Sequence, residues 1–380
     1  MSTEAPAIDL SSVPARATGA VIVDLARIAA NWRALAAHVA PAECSAVVKA
    51  DAYGLGAAEI VPALVSAGCR TFFVATPDEA QQARALAPRA VIYVLDGVLD
   101  AGFLAAHCTV PVLADPSDVS AWLQYCNKAG AKLPAALQVD TGLNRRGLSR
   151  RQLEGLVQSS DFAELAIRLV MSHLACADDP TSAMNSLQRD AFLAARERLP
   201  GVPASLSASD GLMLGAPFHF DLVRPGYALY GGQAFGGGRA PVEPVVRAFA
   251  RVLQVRDVPA GQAIGYSATW TTRSRRRIAT IAAGYADGVF RHASGSNGVP
   301  GGLIGIDGHL CPIVGRVSMD LVTADVTEAV TDDALSGQAL WAELIGPSLP
   351  IETVGAKAGT IGYEVLTRLG RRFHRVYLGA

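Results

Sequence analysis

Apolar positions fall into two textures along this chain. From Val21 to about Gly231, short continuous apolar runs alternate with longer segments whose apolar residues recur every three or four positions. The first pattern predicts buried strands and the second amphipathic helices. Val21 to Leu25 reads as a strand, and 27–39 as a helix with Ile28, Trp32, Leu35 and Ala36 on one face. Candidate strands follow at 46–49, 71–75, 90–95, 110–114, 135–140, 166–173, 203–207 and 220–223. Helical segments lie between most of them, at 57–67, 78–87, 117–129, 150–160 and 185–199. Pro77-Asp78-Glu79 and Pro116-Ser117-Asp118 put acids and cap formers at helix starts.

Strands alternating with helices predict an α/β fold, here a (β/α)8 TIM-like barrel. An open doubly wound sheet is the alternative. No G-x-G-x-x-G turn opens a helix, which weighs against dinucleotide binding. Near Gly231 the texture changes. Gly231-Gly232-Gln233-Ala234-Phe235-Gly236-Gly237-Gly238 reads as a flexible linker. Beyond it, short Val- and Ile-rich runs at 244–255, 277–283, 303–306, 312–314, 321–326 and 339–345 are punctuated by Gly, Pro, Asn and Asp. That predicts a mostly β domain. The expected division is 1–240 for the barrel, with 1–15 a loose tail, and 241–380 for the β domain.

With 380 residues the chain is long enough for two cores. A formal net charge of -1 excludes broad electrostatic attraction to nucleic acid or an anionic membrane. No apolar stretch is long enough to span a bilayer, and the start of the chain lacks the pattern of a secretory signal. Six cysteines without C-x-x-C spacing argue against a metal cluster or disulfide framework, and fit a reducing cytoplasm.

In a barrel, working residues sit where strands end. Lys49 ends the first strand, and Asp140-Thr141-Gly142-Leu143-Asn144-Arg145-Arg146-Gly147 follows the fifth. His173 ends the sixth, Ser209 follows the seventh, and Arg224-Pro225-Gly226-Tyr227 follows the eighth. A lysine at a buried strand end is partly desolvated, which favours its neutral, nucleophilic amine. Ser209, Gly226 and Tyr227 offer a hydroxyl and backbone amides where such barrels often hold phosphate, and Tyr53 stands near enough to join them. Each has a plain structural reading as well: surface lysine, helix cap, turn glycine, core histidine or surface arginine.

The stretch Val47-Val48-Lys49-Ala50-Asp51-Ala52-Tyr53-Gly54 resembles the pyridoxal-phosphate attachment segment of the alanine racemases. That family usually has Asn at the position of Asp51 and often His at that of Leu55. The resemblance continues through Met171-Ser172-His173-Leu174-Ala175, Phe220 to Gly226, and Asp140 to Arg145. It implies that Lys49 carries the cofactor and that His173 stacks on its ring. It also implies that Arg224 faces the pyridine nitrogen, while Arg145 reaches the cofactor's phenolic oxygen and the substrate carboxylate. A guanidinium beside that nitrogen keeps it unprotonated, weakens the electron sink and disfavours transamination. Many members carry a carbamylated lysine at the position of Gln138. The expectation here is that Gln138 positions Arg145 by neutral hydrogen bonds.

In the β domain, Ala263-Ile264-Gly265-Tyr266-Ser267-Ala268-Thr269-Trp270 resembles the family segment bearing a catalytic tyrosine. Ala282 to Gly288 and Val314 to Asp320 resemble two more family segments. They imply Tyr285 and Asp320 at the substrate entrance and the Met319 backbone at the substrate carboxylate. In the family these groups come from the partner subunit, so a homodimer is implied. Arg371 stands where some members have a phosphate-binding tyrosine. The implied activity is racemisation of alanine by two bases, Lys49 and Tyr266, one on each face. It would supply D-alanine for peptidoglycan. Alternatives are a serine or broad-specificity racemase, a related decarboxylase, or a non-catalytic cofactor carrier.

Overall fold

The computed structural model describes residues 10–233, 240–330 and 340–379. Most of the expected tail, residues 234–238 of the glycine-rich linker, and Ala339 of the last expected strand run lie outside them. The chain divides into two compact units, Leu25–Pro244 and Met1–Asp24 with Val245–Ala380.

In the first unit seven strands lie parallel and in chain order. They are Ala46–Val47, Thr71–Val74, Val91–Val94, Val110–Leu113, Pro134–Gln138, Ala166–Met171 and Ala204–Ser205. An eighth, Leu222–Val223, pairs in parallel with Glu43–Cys44, the lead-in to the first. Its other side is bonded too: Asp221 N–H donates to the Ala204 carbonyl at 3.0 Å and Arg224 N–H to that of Ser207 at 2.9 Å. The ring of strands therefore closes, which removes unpaired edges and decides for a barrel over an open sheet. Phe72, Phe73, Ile92, Val112 and Leu137 are fully buried. These strands read as unbroken apolar runs because both faces are covered.

The helices match the periodicity: Ala57–Ala67, Pro77–Leu86, Pro116–Ala129, Arg150–Gln158 and Ala183–Arg196. Their caps lie just upstream of the motifs that suggested them. Thr76 caps Pro77–Leu86 in a capping box with Glu79, and Asp115 caps Pro116–Ala129 by accepting from Ser117 and Asp118 N–H. The helix Ala101–Ala106 was not anticipated. It is too short to show a periodic stripe.

The first strand of the chain departs from the expected division at 240. Gly19–Asp24 does not belong with the barrel. It lies in the β unit, antiparallel to Val246–Val258, with Val21 opposite Ala248, and parallel to His374–Leu378, with Val21 opposite Arg375. An apolar run marks a buried strand but not the sheet that buries it. The rest of that sheet continues from Val246–Val258 through Trp341–Ile345 and Leu303–Ile306 to His309–Pro312. Arg276–Ile281 pairs with the long strand Val246–Val258 and with Val322–Asp325.

Candidate active site

The first strand ends at Val47, earlier than the apolar run suggests, and Lys49 opens the next turn. That turn is left-handed. Ala50, Asp51, Ala52 and Tyr53 have φ of 54, 54, 52 and 59° in succession, and Gly54 follows at 81°. Side chains crowd the backbone in this region at a cost of about 1–2 kcal/mol per residue, so the turn must be held from outside. Gly54 N–H donates to the Ala50 carbonyl at 2.7 Å and Gly56 N–H to that of Asp51 at 3.0 Å. The Asp51 carboxylate accepts from Ala57 N–H at 2.7 Å, and that of Glu79 from Ala50 N–H at 2.7 Å. An asparagine would offer Ala57 the same oxygen, which explains why Asp51 serves here.

Lys49 is half-buried. Burial pushes its pKa below the ordinary lysine value, with Arg145 and Arg224 acting in the same direction and Glu79 and Asp96 opposing. Arg224 is 3% exposed. One Nη donates to Ser205 Oγ at 2.5 Å. The other reaches the carbonyls of Ser172 at 2.6 Å and Leu206 at 3.2 Å, and His173 Nδ1 at 3.4 Å. Its hydrogen-bond acceptors here are neutral, so its charge is oriented without being cancelled. Burial lowers its pKa to about 9, which still leaves it cationic at neutral pH. Burial, then Arg224, Arg145 and Lys49, push His173 down to about 3, so its imidazole is neutral and Nδ1 accepts from the guanidinium. Four residues from four strand ends thus act on one another electrostatically at one rim.

A second cluster adjoins it. Ser209 Oγ accepts from the N–H groups of Gly226 and Ala228, both at 3.1 Å. Both lone pairs of that hydroxyl are used, which leaves its O–H as a donor. Ser209 does not cap the short turn that follows it, Asp210–Leu214; its hydroxyl serves the start of Tyr227–Tyr230 instead. Gly226 presses on Tyr53: a Cβ there would fall 2.2 Å from the Tyr53 hydroxyl. Tyr227 is buried, its ring lying where a Cβ on Gly232 would fall.

Arg145 is exposed, and its neighbour does different work. Arg146 pairs with Asp118 at 2.9 Å, where a Cβ on Gly97 would collide with both. Gln138 donates to the Arg146 carbonyl at 2.9 Å. This corrects the expected Gln138–Arg145 contact: Gln138 holds the loop backbone one residue further on.

In the β unit, Tyr266 is 71% exposed in a short turn between Ala263–Ile264 and Trp270–Thr271. A core-packing role is therefore excluded. Tyr285 N–H donates to the Ser318 carbonyl at 3.0 Å and Ala286 N–H to that of Met319 at 3.1 Å. Tyr285, Met319 and Asp320 accordingly sit together, all at least partly exposed.

Comparison with known proteins gives the decisive observation. Residues 23–234 match the model of the alanine racemase N-terminal domain and residues 245–377 that of its C-terminal domain. The chain belongs to the alanine racemase family. It is 48% identical over 359 residues to an alanine racemase of Methylobacterium sp. (strain 4-46), covering 94% of this chain and 96% of that one. A biosynthetic alanine racemase of Agrobacterium fabrum (strain C58 / ATCC 33970) is 42% identical, covering 94% of this chain and 93% of the relative. The crystal structure of alanine racemase from Bartonella henselae with covalently bound pyridoxal phosphate superposes with a TM-score of 0.89. It is 42% identical and covers 95% of this chain and 100% of that one.

For an alanine racemase chain, the residues that sequence reading passed over are those that hold others in place: Glu79, Asp118, Arg146 and Arg372. Glu79 and Asp118 looked like ordinary helix-start acids, and Arg146 like a duplicate of Arg145. Arg372 lay beside Arg371 in a basic tail. Arg371 is exposed in the β unit.

Proposed function

We propose that this protein interconverts L- and D-alanine with pyridoxal phosphate held in the barrel. The observation that carries this is the convergence of Lys49, Arg145, His173 and Arg224 after four strands of one barrel, with the buried Arg224 guanidinium 3.4 Å from His173 Nδ1. The donor set suits the cofactor. A buried guanidinium whose bonds go to neutral acceptors fits a ring nitrogen lone pair. The O–H of Ser209, left as a donor beside the Gly226–Tyr227 turn with the phenol of Tyr53 against Gly226, fits a phosphate. When bound, pyridoxal phosphate acidifies the α-proton of an attached amino acid by accepting its electron pair.

The chain's residues supply the rest. Lys49 holds the cofactor and takes the α-proton on one face as a neutral amine, or returns it as the ammonium. Tyr266 serves the opposite face. Its hydroxyl is exposed, which suits a group lent to another subunit, and we take the working form to be a homodimer with shared sites. Arg145 and the Met319 backbone receive the substrate carboxylate, and Tyr285 and Asp320 line the entrance. His173 stays neutral and packs on the cofactor ring. Arg224 leaves the ring nitrogen unprotonated and so disfavours transamination.

The role is supply of D-alanine for peptidoglycan, which the name of the Agrobacterium relative supports. We place the protein in the cytoplasm, in keeping with its six free cysteines. Among the described residues, no helix is long and apolar enough to cross a membrane. The test is a chiral product assay on L-alanine with added pyridoxal phosphate, run in deuterated water. D-alanine carrying deuterium at Cα is expected. Recovery of unlabelled L-alanine alone refutes the reading. Lys49→Ala should remove both the activity and the visible absorption of the loaded protein.

A further inference from the structure

We propose that Glu79 is a positioning residue for Lys49, holding the strained turn that carries the lysine and setting the charge around its amine. The inference rests on reading Lys49 as the attachment lysine, and it assigns a role to a residue outside the cofactor's own contacts.

Glu79 sits at the third position of the helix Pro77–Leu86, where a glutamate ordinarily closes a capping box. Here its carboxylate does more. Oε2 accepts from Ala75 N–H at 2.7 Å and Thr76 N–H at 3.3 Å, the expected cap and its neighbour. Oε1 turns the other way and accepts from Ala50 N–H at 2.7 Å. Ala50 directly follows Lys49 and is the first of four left-handed residues without a glycine among them. One carboxylate therefore ties the second strand end to the turn after the first. The turn is costly; Ala52 N–H bonds the Val48 carbonyl across its entry at 2.9 Å, which leaves the Ala50 N–H pointing outside the turn for its acceptor. The Glu79 carboxylate is that acceptor.

The same carboxylate acts on charge. Lys49 faces two cations, Arg145 from the loop after Pro134–Gln138 and Arg224 after Leu222–Val223. Two anions oppose them: Glu79 and Asp96, the latter following Val91–Val94. Arg145 and Arg224 favour the neutral amine, while Glu79 and Asp96 favour the ammonium. Removing the Glu79 charge should lower the pH at which Lys49 becomes neutral. Neutral amine is what attaches the cofactor: its nitrogen replaces the aldehyde oxygen, which leaves as water with the amine's two hydrogens.

The experiment follows uptake of pyridoxal phosphate by the full-length apoprotein, read by absorbance from pH 6 to 10, and retention of the cofactor during dialysis. In Glu79→Gln one amide oxygen cannot serve both sets of donors and the charge is gone. The rate midpoint should move to lower pH by roughly half a unit, and retention should fall on the order of tenfold. Glu79→Asp keeps the charge but shortens the reach, so it should hold the wild-type midpoint while losing retention. Wild-type midpoint and retention in Glu79→Gln overturn the proposal. So does a midpoint in Glu79→Asp displaced as far as in Glu79→Gln. Lys49→Ala run alongside separates the two readings. If it takes up no cofactor covalently, the attachment role stands whatever Glu79 does. Wild-type uptake by Lys49→Ala would instead remove the premise, and the Glu79 proposal with it.

Discussion

Arg372 grips the buried carboxylate of Asp287 with two hydrogen bonds, from Nε at 2.7 Å and Nη2 at 2.6 Å, although the two residues are 85 positions apart. Its remaining Nη donates to Asp320 at 2.7 Å. Asp287 is 2% exposed and accepts from Gly284 N–H at 2.9 Å, inside the turn that presents Tyr285. A single guanidinium thus joins the Tyr285 turn to the Met319–Asp320 loop. Arg372→Ala leaves a buried carboxylate without its partner and should cost about 1–3 kcal/mol of stability. Arg372→Lys, which lacks the planar fork, should recover only part of it. Urea unfolding midpoints check both.

Gly226 has no room for a side chain beside the Tyr53 hydroxyl. Gly226→Ala should displace Tyr53 and open the phosphate end of the site. The expected result is weaker binding of pyridoxal phosphate, on the order of tenfold or more, with substrate KM changed much less. Titration of the apoprotein with the cofactor measures this. Unchanged affinity would show that Tyr53 and Gly226 do not contribute to the phosphate end.

His173 gives stability a pH dependence of known sign. Burial and three neighbouring cations hold its folded pKa at about 3, against 6.5 ordinarily. Above pH 6.5 neither state binds the proton and the residue adds no slope. As pH falls from 6.5 toward 3, the unfolded chain takes up a proton that the folded one refuses. Stability should then drop by up to about 1.4 kcal/mol per pH unit. Below the folded pKa the loss stops growing. His173→Asn should flatten that slope in urea titrations between pH 7 and 4.5. An unchanged slope would mean that other groups carry it.

Tyr266 is exposed, and as the proposed second base its hydroxyl should bear on activity and not on folding. Tyr266→Phe should leave the unfolding midpoint within about 0.5 kcal/mol of wild type. Activity should fall by roughly 10²–10⁴-fold. Because each direction of the reaction uses the two faces in opposite order, solvent-deuterium incorporation should become unequal starting from L- and from D-alanine. Equal incorporation would remove Tyr266 from the second face.

Local pattern settled much of this protein in advance. Burial on both faces writes unbroken apolar runs, and burial on one face writes helical periodicity, so the alternating strands and helices, the change of texture near Gly231 and the rim residues Lys49, Arg145, His173 and Arg224 were all legible from the chain alone. A motif also singled out Tyr266, which the fold leaves exposed. What the chain could not announce were relations at a distance. An apolar strand looks alike in either sheet, so only pairing showed Gly19–Asp24 between Val246–Val258 and His374–Leu378. Ring closure needed the bonds of Asp221 and Arg224. Four left-handed residues after Lys49 run against the ordinary backbone preference; Glu79 holds them from outside and Asp51, one of the four, ties them to the helix that follows. Likewise Arg145 and Arg146 are identical in kind, and only a buried Asp118 within 2.9 Å makes the second one structural. Charge and hydrogen bonding are decided by which groups meet in space, and that is set by the folded chain.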